Sequence, residues 1–534
     1  MKSPRISRRS ALKRISQAFA GGTLAGVLIP SASAADKASE ITVTVLLNET
    51  IGAIKPTIYS HFTEHIGGVI YDGVWVGPNS KVPNIDGIRR ALVDHVRRLG
   101  PVVVRWPGGC FADKYHWRDG LGPSDKRPRR FGRWQEVTES NQFGTHEFIH
   151  FCRLCGVEPY FGANVGTGSA EEFQQWVEYC NAPAGTTTLA DERGANGSSK
   201  PFGVRYWGVG NESWGCGGKF TPEDYCREYR KFTEWLPQYR VPLYLIAAGP
   251  DGNNLDWTRR FFKKWTDFAR APIHGWAPHY YCGTTGHALK FSEDQWYEML
   301  DKANRMEQLI TDQWAALGEF DREHKIKLII DEWGCWHPAG TEINPHHLFE
   351  QMGCLRDALA AALTLDTFNR HADKVEMANI AQLVNNLHSL FLADGDRFVA
   401  TPTFHVFEMY KPHQGARGVR LAIEAPQVGF IAQGKDRKLF RLAGSASVKG
   451  KDLTVTLVHT HVTKLVEISI QLRDGKASEG IQQTVLTHEK LNAHNTFENP
   501  NQVMPKTTTL KSRGSSIKCV LPPASITRMD LRLV

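Results

Sequence analysis

The sequence predicts an α/β protein in which a closed (β/α)8 barrel precedes a C-terminal antiparallel β-sandwich. Three observations support this fold class. The chain has 534 residues, which is too long for one ordinary domain. From residue 56 to about residue 400, short apolar runs alternate with helical patterns. After residue 401 the pattern changes to short alternating runs divided by turn residues, which is typical of an antiparallel β-sandwich.

The chain begins with the pattern of a twin-arginine signal peptide. Arg8 and Arg9 stand in the run SRRSALK, residues 18–30 are mildly apolar, and residues 32–34 (ASA) form a small-residue cleavage site. A short amphipathic helix or membrane anchor is disfavoured, because the apolar stretch is about 13 residues and a span needs roughly 20. We therefore predict that residues 1–34 are removed and that the protein is periplasmic or extracellular.

Removal of this segment changes the charge of the chain. The segment holds six basic residues and no acidic ones, so the formal net charge falls from +8 to +2. No basic face then indicates a nucleic-acid partner, and the mature chain is not expected to bind a membrane. We expect a neutral substrate, no cofactor and no metal.

The strand-like segment at 41–48 (ITVTVLLN) has the alternation of the C-terminal runs, although it precedes the barrel. The C-terminal runs include LTVTLVHTHV, LVEISIQL and ITRMDLRLV. We therefore assign residues 35–55 to a strand that joins the sandwich, residues 56–400 to the barrel and residues 401–534 to the sandwich.

Eight apolar runs are the predicted barrel strands. They are 57–65 (TIYSHFTEH), 102–106 (VVVRW), 157–165 (VEPYFGANV), 204–212 (VRYWGVGNE), 241–249 (VPLYLIAAG), 274–281 (HGWAPHYY), 327–333 (KLIIDEW) and 375–384 (VEMANIAQLV). Helical patterns separate them. Residues 88–99 place Ile88 and four further apolar residues on one face, and Thr221 with Pro222 has the form of a helix start.

Polar residues interrupt these runs near their C-terminal ends, where the reactive groups of such barrels lie. In strand order they are Glu64, Arg105, Asn164, Asn211 with Glu212, His279 with Tyr281, Glu332, and Gln382 with Asn385. A lone strand-end glutamate is more often structural. Recurrence from strand to strand favours one shared functional mouth.

Two glutamates stand out among these residues. Glu212 ends the run WGVGNE, and Glu332 stands in IIDEWGCW. Two carboxylates placed at strand ends are the minimum equipment for glycoside hydrolysis through a covalent intermediate.

Several segments in one order and spacing resemble the α-L-arabinofuranosidases of glycoside hydrolase family 51. They are HFTEHIGG, RWPGGCFADKYHWRDGLGP, WGVGNESWGCGG, HYY, DEWGCW and IAQLVN, and they span roughly residues 56–390. The resemblance implies a barrel joined to a jelly-roll-like sandwich to which the N-terminal strand contributes. It implies an exo-acting retaining enzyme that removes terminal arabinofuranosyl units from arabinan, arabinoxylan or their oligosaccharides. Relatives are often hexamers, so it also implies a homo-oligomer.

The resemblance assigns roles to residues of this chain. It implies that Glu212 is the general acid/base and Glu332 the nucleophile, with Arg105 and Tyr281 holding the nucleophile. Its further implied contacts with the sugar are Glu64, Cys110, Asn211, His279, Trp336 and Gln382. Without the resemblance, Trp336, Gln382 and His279 are more often structural residues.

Cys110 departs from the commonest family pattern, in which an asparagine at this position contacts the sugar. A thiol is a weak donor and cannot replace the paired bonds of an amide. Cys216, Cys282 and Cys335 lie in or beside the other mouth motifs, so a disulfide or a metal at Cys110 remains open, although no regular ligand spacing supports either and free thiols are favoured. The other pair with close spacing, Cys152 and Cys155, fits a helix core better than a redox or zinc site.

Two alternative functions remain at this point. One is another retaining glycosidase on the same barrel, such as an endoglucanase or a β-xylosidase. The other is a non-catalytic glycan-binding protein, which the presence of both glutamates disfavours. Linkage preference depends on loops such as 124–134 and 186–199, whose sequences give no template.

Overall fold

The structure is a computed structural model that describes residues 40–132, 134, 137–267 and 271–534. The predicted signal segment, residues 1–34, lies outside these ranges. The strands of the first part of the chain are β1 (Ile41–Ala53), β2 (Ser60–Phe62), β3 (Asn84–Ile85), β4 (Ile88–Arg89), β5 (Val103–Trp106), β6 (Arg130–Phe131), β7 (Thr138–Glu139), β8 (Glu158–Ala163), β9 (Tyr206–Val209), β10 (Tyr244–Asp251), β11 (Gly275–Tyr281), β12 (Lys327–Gly334) and β13 (Val375–Ile380).

The strands of the remaining part are β14 (Phe391–Asp394), β15 (Arg397–Ala400), β16 (Arg417–Ile423), β17 (Gln427–Ala432), β18 (Lys435–Phe440), β19 (Leu442–Lys449), β20 (Asp452–His459), β21 (Val466–Arg473), β22 (Ile481–Leu486), β23 (Lys506–Leu510), β24 (Ser516–Leu521) and β25 (Ser525–Arg532). The α-helices are α1 (Arg90–Leu99), α2 (Thr145–Cys155), α3 (Ala170–Asn181), α4 (Thr188–Ala195), α5 (Pro222–Thr233), α6 (Leu255–Thr266), α7 (Glu293–Asn304), α8 (Met306–Gly318), α9 (Leu355–Arg370) and α10 (Pro402–Tyr410). Short 3-10 helices lie at Pro56–Tyr59, Ala112–Lys114, Trp117–Gly120, Ser124–Lys126 and Lys411–His413.

Eight parallel strands close into a barrel in the order β2, β5, β8, β9, β10, β11, β12, β13 and back to β2. Six of these strands lie within the predicted runs, and β10 and β12 extend one or two residues beyond theirs, so the predicted fold class is confirmed. The lower barrel interior is filled by one apolar cluster. Its buried members are Val103, Tyr160, Ile246, Ala277, Ile329 and Met377. The barrel is therefore a packed core whose polar strand ends lie at one mouth.

The outer helices follow from the apolar faces that the sequence predicts. Four side chains on one face of α1 are buried, namely Leu92, Val93, Val96 and Leu99. Ile88, predicted on the same face, lies instead in β4, because residues 84–89 form a short hairpin before the helix begins. Thr221 caps α5 as predicted, since its side chain accepts a hydrogen bond from the Asp224 N–H and Pro222 follows at the first turn.

Outside the barrel, the largest sheet has nine strands in the order β23, β22, β25, β20, β19, β16, β1, β21, β24. All neighbours are antiparallel except β1 and β21, which run parallel. Inward side chains from opposite ends of this order share one apolar core, among them Val43, Val455, Ile470 and Met529. The sheet therefore folds over its own core, as in a sandwich.

The predicted boundary at residues 400 and 401 falls just before α10. Thr401 occupies the position preceding this helix, and the first strand of the nine-stranded sheet after the barrel begins at Arg417. The division of the chain into residues 56–400 and 401–534 stays a prediction. In the described ranges, no helix is both long and apolar enough to span a bilayer.

One buried carboxylate, Asp366 of α9, lies where the barrel meets the nine-stranded sheet. Its oxygens accept hydrogen bonds from Ser445 Oγ at 2.7 Å, Thr456 Oγ1 at 2.6 Å and the Tyr410 hydroxyl at 3.0 Å. Burial raises the pKa of Asp366 to about 6, although these hydroxyl donors lower it. We call Asp366 and the three hydroxyl residues the interface cluster.

Candidate active site

A polar layer lies directly above the apolar interior of the barrel. Side chains two apart in a strand point to the same side. Three interior residues on different strands are Val103, Ala277 and Ile329. Two positions further along the same strands are the buried residues Arg105, His279 and Asp331. Together with Glu212 and Glu332, these three residues form what we call the mouth cluster.

Glu332 is oriented by three neighbours at the end of β12. Arg105 Nη1 donates to Oε2 at 2.9 Å, and the Tyr281 hydroxyl donates to Oε1 at 2.8 Å. His279 Nδ1 lies 3.3 Å from Oε2. Burial would lower the pKa of Arg105, but Asp331 and the Glu332 carboxylate together raise it above its ordinary value. Glu332 therefore faces a permanent cation and a hydroxyl donor, an arrangement that fixes a carboxylate in one orientation.

Glu212 follows β9 in a strained loop. Its φ of 41° lies in a region that costs a non-glycine residue on the order of 1 kcal/mol. Asp113 holds the preceding residue, since its Oδ2 accepts a hydrogen bond from the Asn211 N–H at 3.1 Å. Glu212 Oε1 lies 3.1 Å from His279 Nδ1. Burial raises the pKa of Glu212 and the Glu332 charge raises it further, while His279 lowers it. A raised pKa suits a carboxyl group that must deliver a proton.

Glu64 is buried beside this pair at the end of the first barrel strand. Its Oε1 accepts a hydrogen bond from the Phe111 N–H at 2.8 Å, and its Oε2 accepts one from Gln382 Nε2 at 3.3 Å. A Cβ on Gly109 would lie 2.9 Å from Oε2, so the glycine is what allows the carboxyl group this close to the loop. Burial and the charge of Glu332 raise the pKa of Glu64 to about 8. Near pH 7 the group is therefore mostly protonated and can donate a hydrogen bond.

Cys110 and Cys216 form a disulfide at the mouth, with a Cα–Cα distance of 5.5 Å. Glu212 Oε2 lies 3.9 Å from the Cys110 sulfur and 3.4 Å from the Cys216 sulfur. The sequence left thiols, disulfide and metal open here, and the structure selects the disulfide. Because a disulfide has no S–H, Cys110 cannot donate a hydrogen bond to a sugar or to Glu212. The other two mouth cysteines, Cys282 and Cys335, are buried free thiols.

The remaining predicted residues divide into two groups. Asn211 contacts the mouth cluster, since its Oδ1 accepts a hydrogen bond from Arg105 Nη2 at 2.5 Å. Trp336 packs edge-on against Tyr281 with ring centroids 5.0 Å apart. Two other strand-end asparagines serve structure instead. Asn164 Oδ1 accepts from the Thr167 and Gly168 N–H groups, and its Nδ2 donates to the Tyr115 carbonyl. Asn385 forms hydrogen bonds with the backbone of residues 68 and 393.

Two residues of the site were not among those predicted, namely Asp331 of the mouth cluster and Tyr160, which contacts it. Asp331 accepts a hydrogen bond from the Tyr160 hydroxyl at 2.6 Å, and its other oxygen lies 3.0 Å from His279 Nε2. The available signal was the strand alternation, because a charged residue two positions after the interior residue Ile329 must point into the barrel. Tyr160 carried no such signal, since a tyrosine in an apolar run resembles ordinary core.

Three groups in the described part of the chain bring potential metal ligands together. They are Cys110 with Glu212 and Cys216, Glu212 with His279 and Glu332, and Cys335 with Asp357 and His388. The first includes the disulfide, and the second is oriented by Arg105 and Tyr281. In the third, Asp357 lies 2.8 Å from His337 Nε2 and accepts from the Cys354 N–H, while His388 Nδ1 accepts from the Cys335 N–H. Protein donors thus already engage these atoms, and the absence of a metal stays a prediction.

Two family descriptions match the chain. The description "Alpha-L-arabinofuranosidase 1 domain" matches residues 95–298, and "Alpha-L-arabinofuranosidase C-terminal domain" matches residues 331–525. A relative from Bacteroides ovatus, described as an intracellular exo-α-L-arabinofuranosidase, is 37% identical over 92% of this chain and 95% of its own length.

The description of the Bacteroides relative contradicts the predicted localisation. That protein aligns with nearly the whole chain and is described as intracellular. The prediction of twin-arginine export to the periplasm or the extracellular space is therefore wrong by this comparison. It rested on residues 1–34, which lie outside the described ranges, and the net charge of +2 assumed their removal.

Solved structures agree with the family descriptions. The family 51 arabinofuranosidase from Xanthomonas axonopodis pv. citri is 36% identical and superposes with a TM-score of 0.86, covering 92% of this chain and 100% of that one. The α-L-arabinofuranosidase from Thermotoga maritima, solved as an arabinose complex, is 29% identical with a TM-score of 0.81 and the same coverage. With the glutamate pair at the barrel mouth, these matches show that the chain belongs to the α-L-arabinofuranosidases of glycoside hydrolase family 51.

Proposed function

We propose that this enzyme releases terminal α-L-arabinofuranosyl units from arabinan, arabinoxylan or their oligosaccharides by a retaining double displacement. The observation that carries the proposal is the pairing of buried Glu332 and half-buried Glu212 around His279. One oxygen of Glu212 and one of Glu332 lie within 4.8 Å of each other. This proximity is compatible with the retaining arrangement, in which the two carboxyl groups are about 5 Å apart.

In the first half-reaction, Glu332 attacks the anomeric carbon of the sugar. Arg105 and Tyr281 hold one carboxylate oxygen each, so the attacking group enters the reaction already oriented. The bond between the anomeric carbon and the leaving oxygen breaks as Glu212 transfers its proton to that oxygen. The raised pKa of Glu212 supports this role, because the acid must be protonated when the bond breaks.

In the second half-reaction, Glu212 is ionised and acts as a base. It takes a proton from water while the water oxygen bonds to the anomeric carbon and Glu332 leaves. Attack from opposite faces in the two steps inverts the anomeric centre twice, so the product keeps the α configuration. Both glutamates return to their starting protonation states.

Sugar recognition is assigned to residues that offer hydrogen bonds around this pair. Glu64, protonated near neutral pH, supplies a donor, and Asn211 lies beside the acid/base. Buried Gln382 Oε1 has no hydrogen-bond partner among the described residues, which leaves an acceptor for a sugar hydroxyl. Trp336 supplies an apolar wall next to Tyr281. The disulfide of Cys110 and Cys216 offers the sugar a van der Waals contact and no hydrogen-bond donor.

The assembly state is a further part of the proposal. By resemblance to the family we propose a homo-oligomer, which light scattering during gel filtration measures directly. A mass of about 60 kDa would contradict it, since one chain has a mass of 59.9 kDa.

The test is hydrolysis of 4-nitrophenyl α-L-arabinofuranoside by the wild type, Glu212→Ala and Glu332→Ala, each with and without azide. We expect both variants to lose activity. In Glu212→Ala, azide should attack the glycosyl-enzyme and give the α-arabinosyl azide. In Glu332→Ala, azide can only displace the aglycone directly and give the β-azide, so the two products assign the two roles.

The same assay separates the alternative functions. A wild type that is inactive on arabinofuranosides but cleaves a glucoside or a β-xyloside would identify the protein as an endoglucanase or a β-xylosidase. The roles of the two glutamates would stay the same. Full activity in Glu332→Ala would contradict the mechanism. A wild type without activity on any glycoside would favour a glycan-binding protein.

A further inference from the structure

His279 is surrounded by carboxyl oxygens on both sides of its ring. Nδ1 lies 3.1 Å from Glu212 Oε1 and 3.3 Å from Glu332 Oε2. Nε2 lies 3.0 Å from Asp331 Oδ1. The ring is buried. Each ring nitrogen therefore faces at least one group that accepts hydrogen bonds when it is ionised.

This geometry restricts the protonation state of the ring. A neutral imidazole has one donor nitrogen and one acceptor nitrogen. If Asp331 and Glu332 are both ionised, a neutral ring would turn a lone pair towards one of these carboxylates. Only the imidazolium, with a proton on both nitrogens, donates to both sides.

Asp331 is built to remain ionised. Its Oδ2 accepts a hydrogen bond from the Tyr160 hydroxyl at 2.6 Å and lies 3.6 Å from Arg105 Nε. Burial would raise the pKa of Asp331, but Arg105 and His279 together lower it. The ring responds in the opposite sense. Burial would lower the pKa of His279, but Glu332, Asp331 and Glu212 together raise it to about 10.

The mouth cluster then has balanced charge in both half-reactions. With Glu212 protonated, the anions Asp331 and Glu332 face the cations Arg105 and His279. Once Glu332 has formed its ester, Glu212 is the ionised group in its place. The number of anions is unchanged, but the negative charge has moved from one side of His279 Nδ1 to the other.

We propose that His279 is a stationary imidazolium whose Nδ1–H serves whichever catalytic glutamate is ionised, and that Asp331 is the positioning residue that keeps it charged. The positive charge at Nδ1 stabilises Glu332 Oε2, 3.3 Å away, before glycosylation, and Glu212 Oε1, 3.1 Å away, once Glu332 has formed its ester. No proton leaves the ring in either step. The inference rests on the proposed double displacement, and it replaces the expected role of His279 as a sugar contact.

The groups that face His279 fix the expected pH dependence. They are Asp331 and Glu332 of β12 and Glu212 after β9. Arg105 acts through Asp331 and Glu332, Tyr160 through Asp331, and Tyr281 through Glu332. Loss of the Asp331 charge removes an anion next to the imidazolium, so the ring should lose its proton at lower pH. The basic limb of kcat/KM should then move to lower pH by about one unit or more.

The direct test is the protonation state of His279 in 15N-histidine-labelled protein, read by NMR without substrate. The His279 signals are identified by their loss in His279→Gln. In the wild type we expect both ring nitrogens to stay protonated from pH 5 to pH 9. In Asp331→Asn we expect the ring to titrate inside that range. A wild-type ring that is neutral at pH 7 would overturn the inference, whether or not Asp331→Asn folds.

Activity provides the second readout. In Asp331→Asn, kcat/KM should fall on the order of 10²-fold for both 4-nitrophenyl and 2,4-dinitrophenyl arabinofuranosides, because the cation holds Glu332 for attack during glycosylation whatever the leaving group. Glu212→Ala should instead spare the dinitrophenyl substrate, whose leaving group needs little acid assistance. An unchanged basic limb in a folded Asp331→Asn enzyme would contradict the role of Asp331.

Two controls separate this role from loss of a buried carboxylate in general. Asp366→Asn removes the buried carboxylate of the interface cluster and should leave the pH profile and the His279 signals unchanged. Tyr160→Phe removes one hydrogen bond to Asp331 but keeps its charge, so the ring should stay doubly protonated. If the wild type shows the imidazolium but cleaves no arabinofuranoside, the proposed function fails while the assignment of the ring stands.

Discussion

The mouth cluster and the interface cluster both bury carboxyl groups, but they surround them with different neighbours. At the mouth, Asp331 and Glu332 face the cations Arg105 and His279. At the interface, Asp366 is hydrogen-bonded to three hydroxyls, and burial raises its pKa to about 6. Hydroxyls can satisfy a buried carboxyl group, but only opposite charges keep several carboxylates ionised within a few ångströms. The difference separates a reactive site from a structural contact.

The largest effect is expected from Arg105→Met, which removes the permanent cation of the mouth. Asp331 and Glu332 would then lie buried without their main positive partner, which costs about 3 to 5 kcal/mol of stability. We expect kcat to fall by on the order of 10³-fold as well, because Glu332 loses its orientation. Thermal unfolding and steady-state kinetics measure the two effects.

The matched change away from the mouth is Arg370→Met. Arg370 lies on α9 and is half-buried, its Nη1 donates to the Gly444 carbonyl at 2.9 Å, and its Nη2 pairs with the partly exposed Glu307 at 2.5 Å. It should lower stability only slightly and leave kcat unchanged. A variant Arg105→Met with near-normal kcat would show that charge compensation is not what distinguishes the two clusters.

A smaller loss of kcat is expected when a tyrosine that donates to a buried carboxyl group is changed at the mouth, and none when the equivalent change is made at the interface. Tyr281→Phe removes the donor to Glu332, and kcat should fall about 10²-fold with little change in stability. Tyr410→Phe removes the donor to Asp366, and it should cost about 1 kcal/mol of stability with kcat unchanged. Kinetics and thermal unfolding of both variants test the contrast. Equal losses of kcat would mean that the two clusters are coupled.

The smallest effect concerns the pH dependence of stability at Asp366. The pKa of this group is raised on folding to about 6, so its contribution is present at low pH and is lost as pH rises through 6. An asparagine cannot ionise. Its amide can donate to the Tyr410 hydroxyl, which can in turn donate to the Ala362 carbonyl, 3.3 Å away.

Asp366→Asn should therefore match the wild type near pH 4.5 and exceed its stability by about 2 kcal/mol near pH 8. Thermal midpoints at the two pH values measure this difference. A variant that is less stable than the wild type at both values would show that Asp366 acts as an ionised partner, like the mouth carboxylates.

Much of the mouth could be predicted from the sequence because its parts stand in local patterns. Glu212, Glu332 and Arg105 each follow or end an apolar strand, and strand ends of a closed barrel converge. Asp331 was not predicted because the neighbouring Glu332 already explained the motif as a strand-end carboxylate. The strand alternation nevertheless places Asp331 on the same side as Ile329, inside the barrel. Its meaning depends on His279 and Tyr160, which lie on other strands.

The interface cluster could not be predicted in the same way. Asp366 lies in a helix, and Ser445 and Thr456 lie on β19 and β20, 79 and 90 residues further along the chain. No motif or periodicity in the neighbouring sequence indicates that these three residues form a cluster. The disulfide between Cys110 and Cys216 has the same character, with a separation of 106 residues. Contacts between distant elements depend on how the barrel and the sheet are packed, which sequence periodicity does not describe.

The position of β1 has a consequence for how the chain is made. This strand pairs with β16 and β21, and the Leu47 carbonyl meets Arg417, which is 370 residues later. At about 5 to 20 residues per second, a ribosome needs roughly 20 to 70 seconds to supply that partner. Throughout that interval the apolar side chains of Ile41, Val43 and Val45 lack the sheet in which they are buried. A gene fragment that ends after the barrel would therefore leave β1 without either of its partner strands.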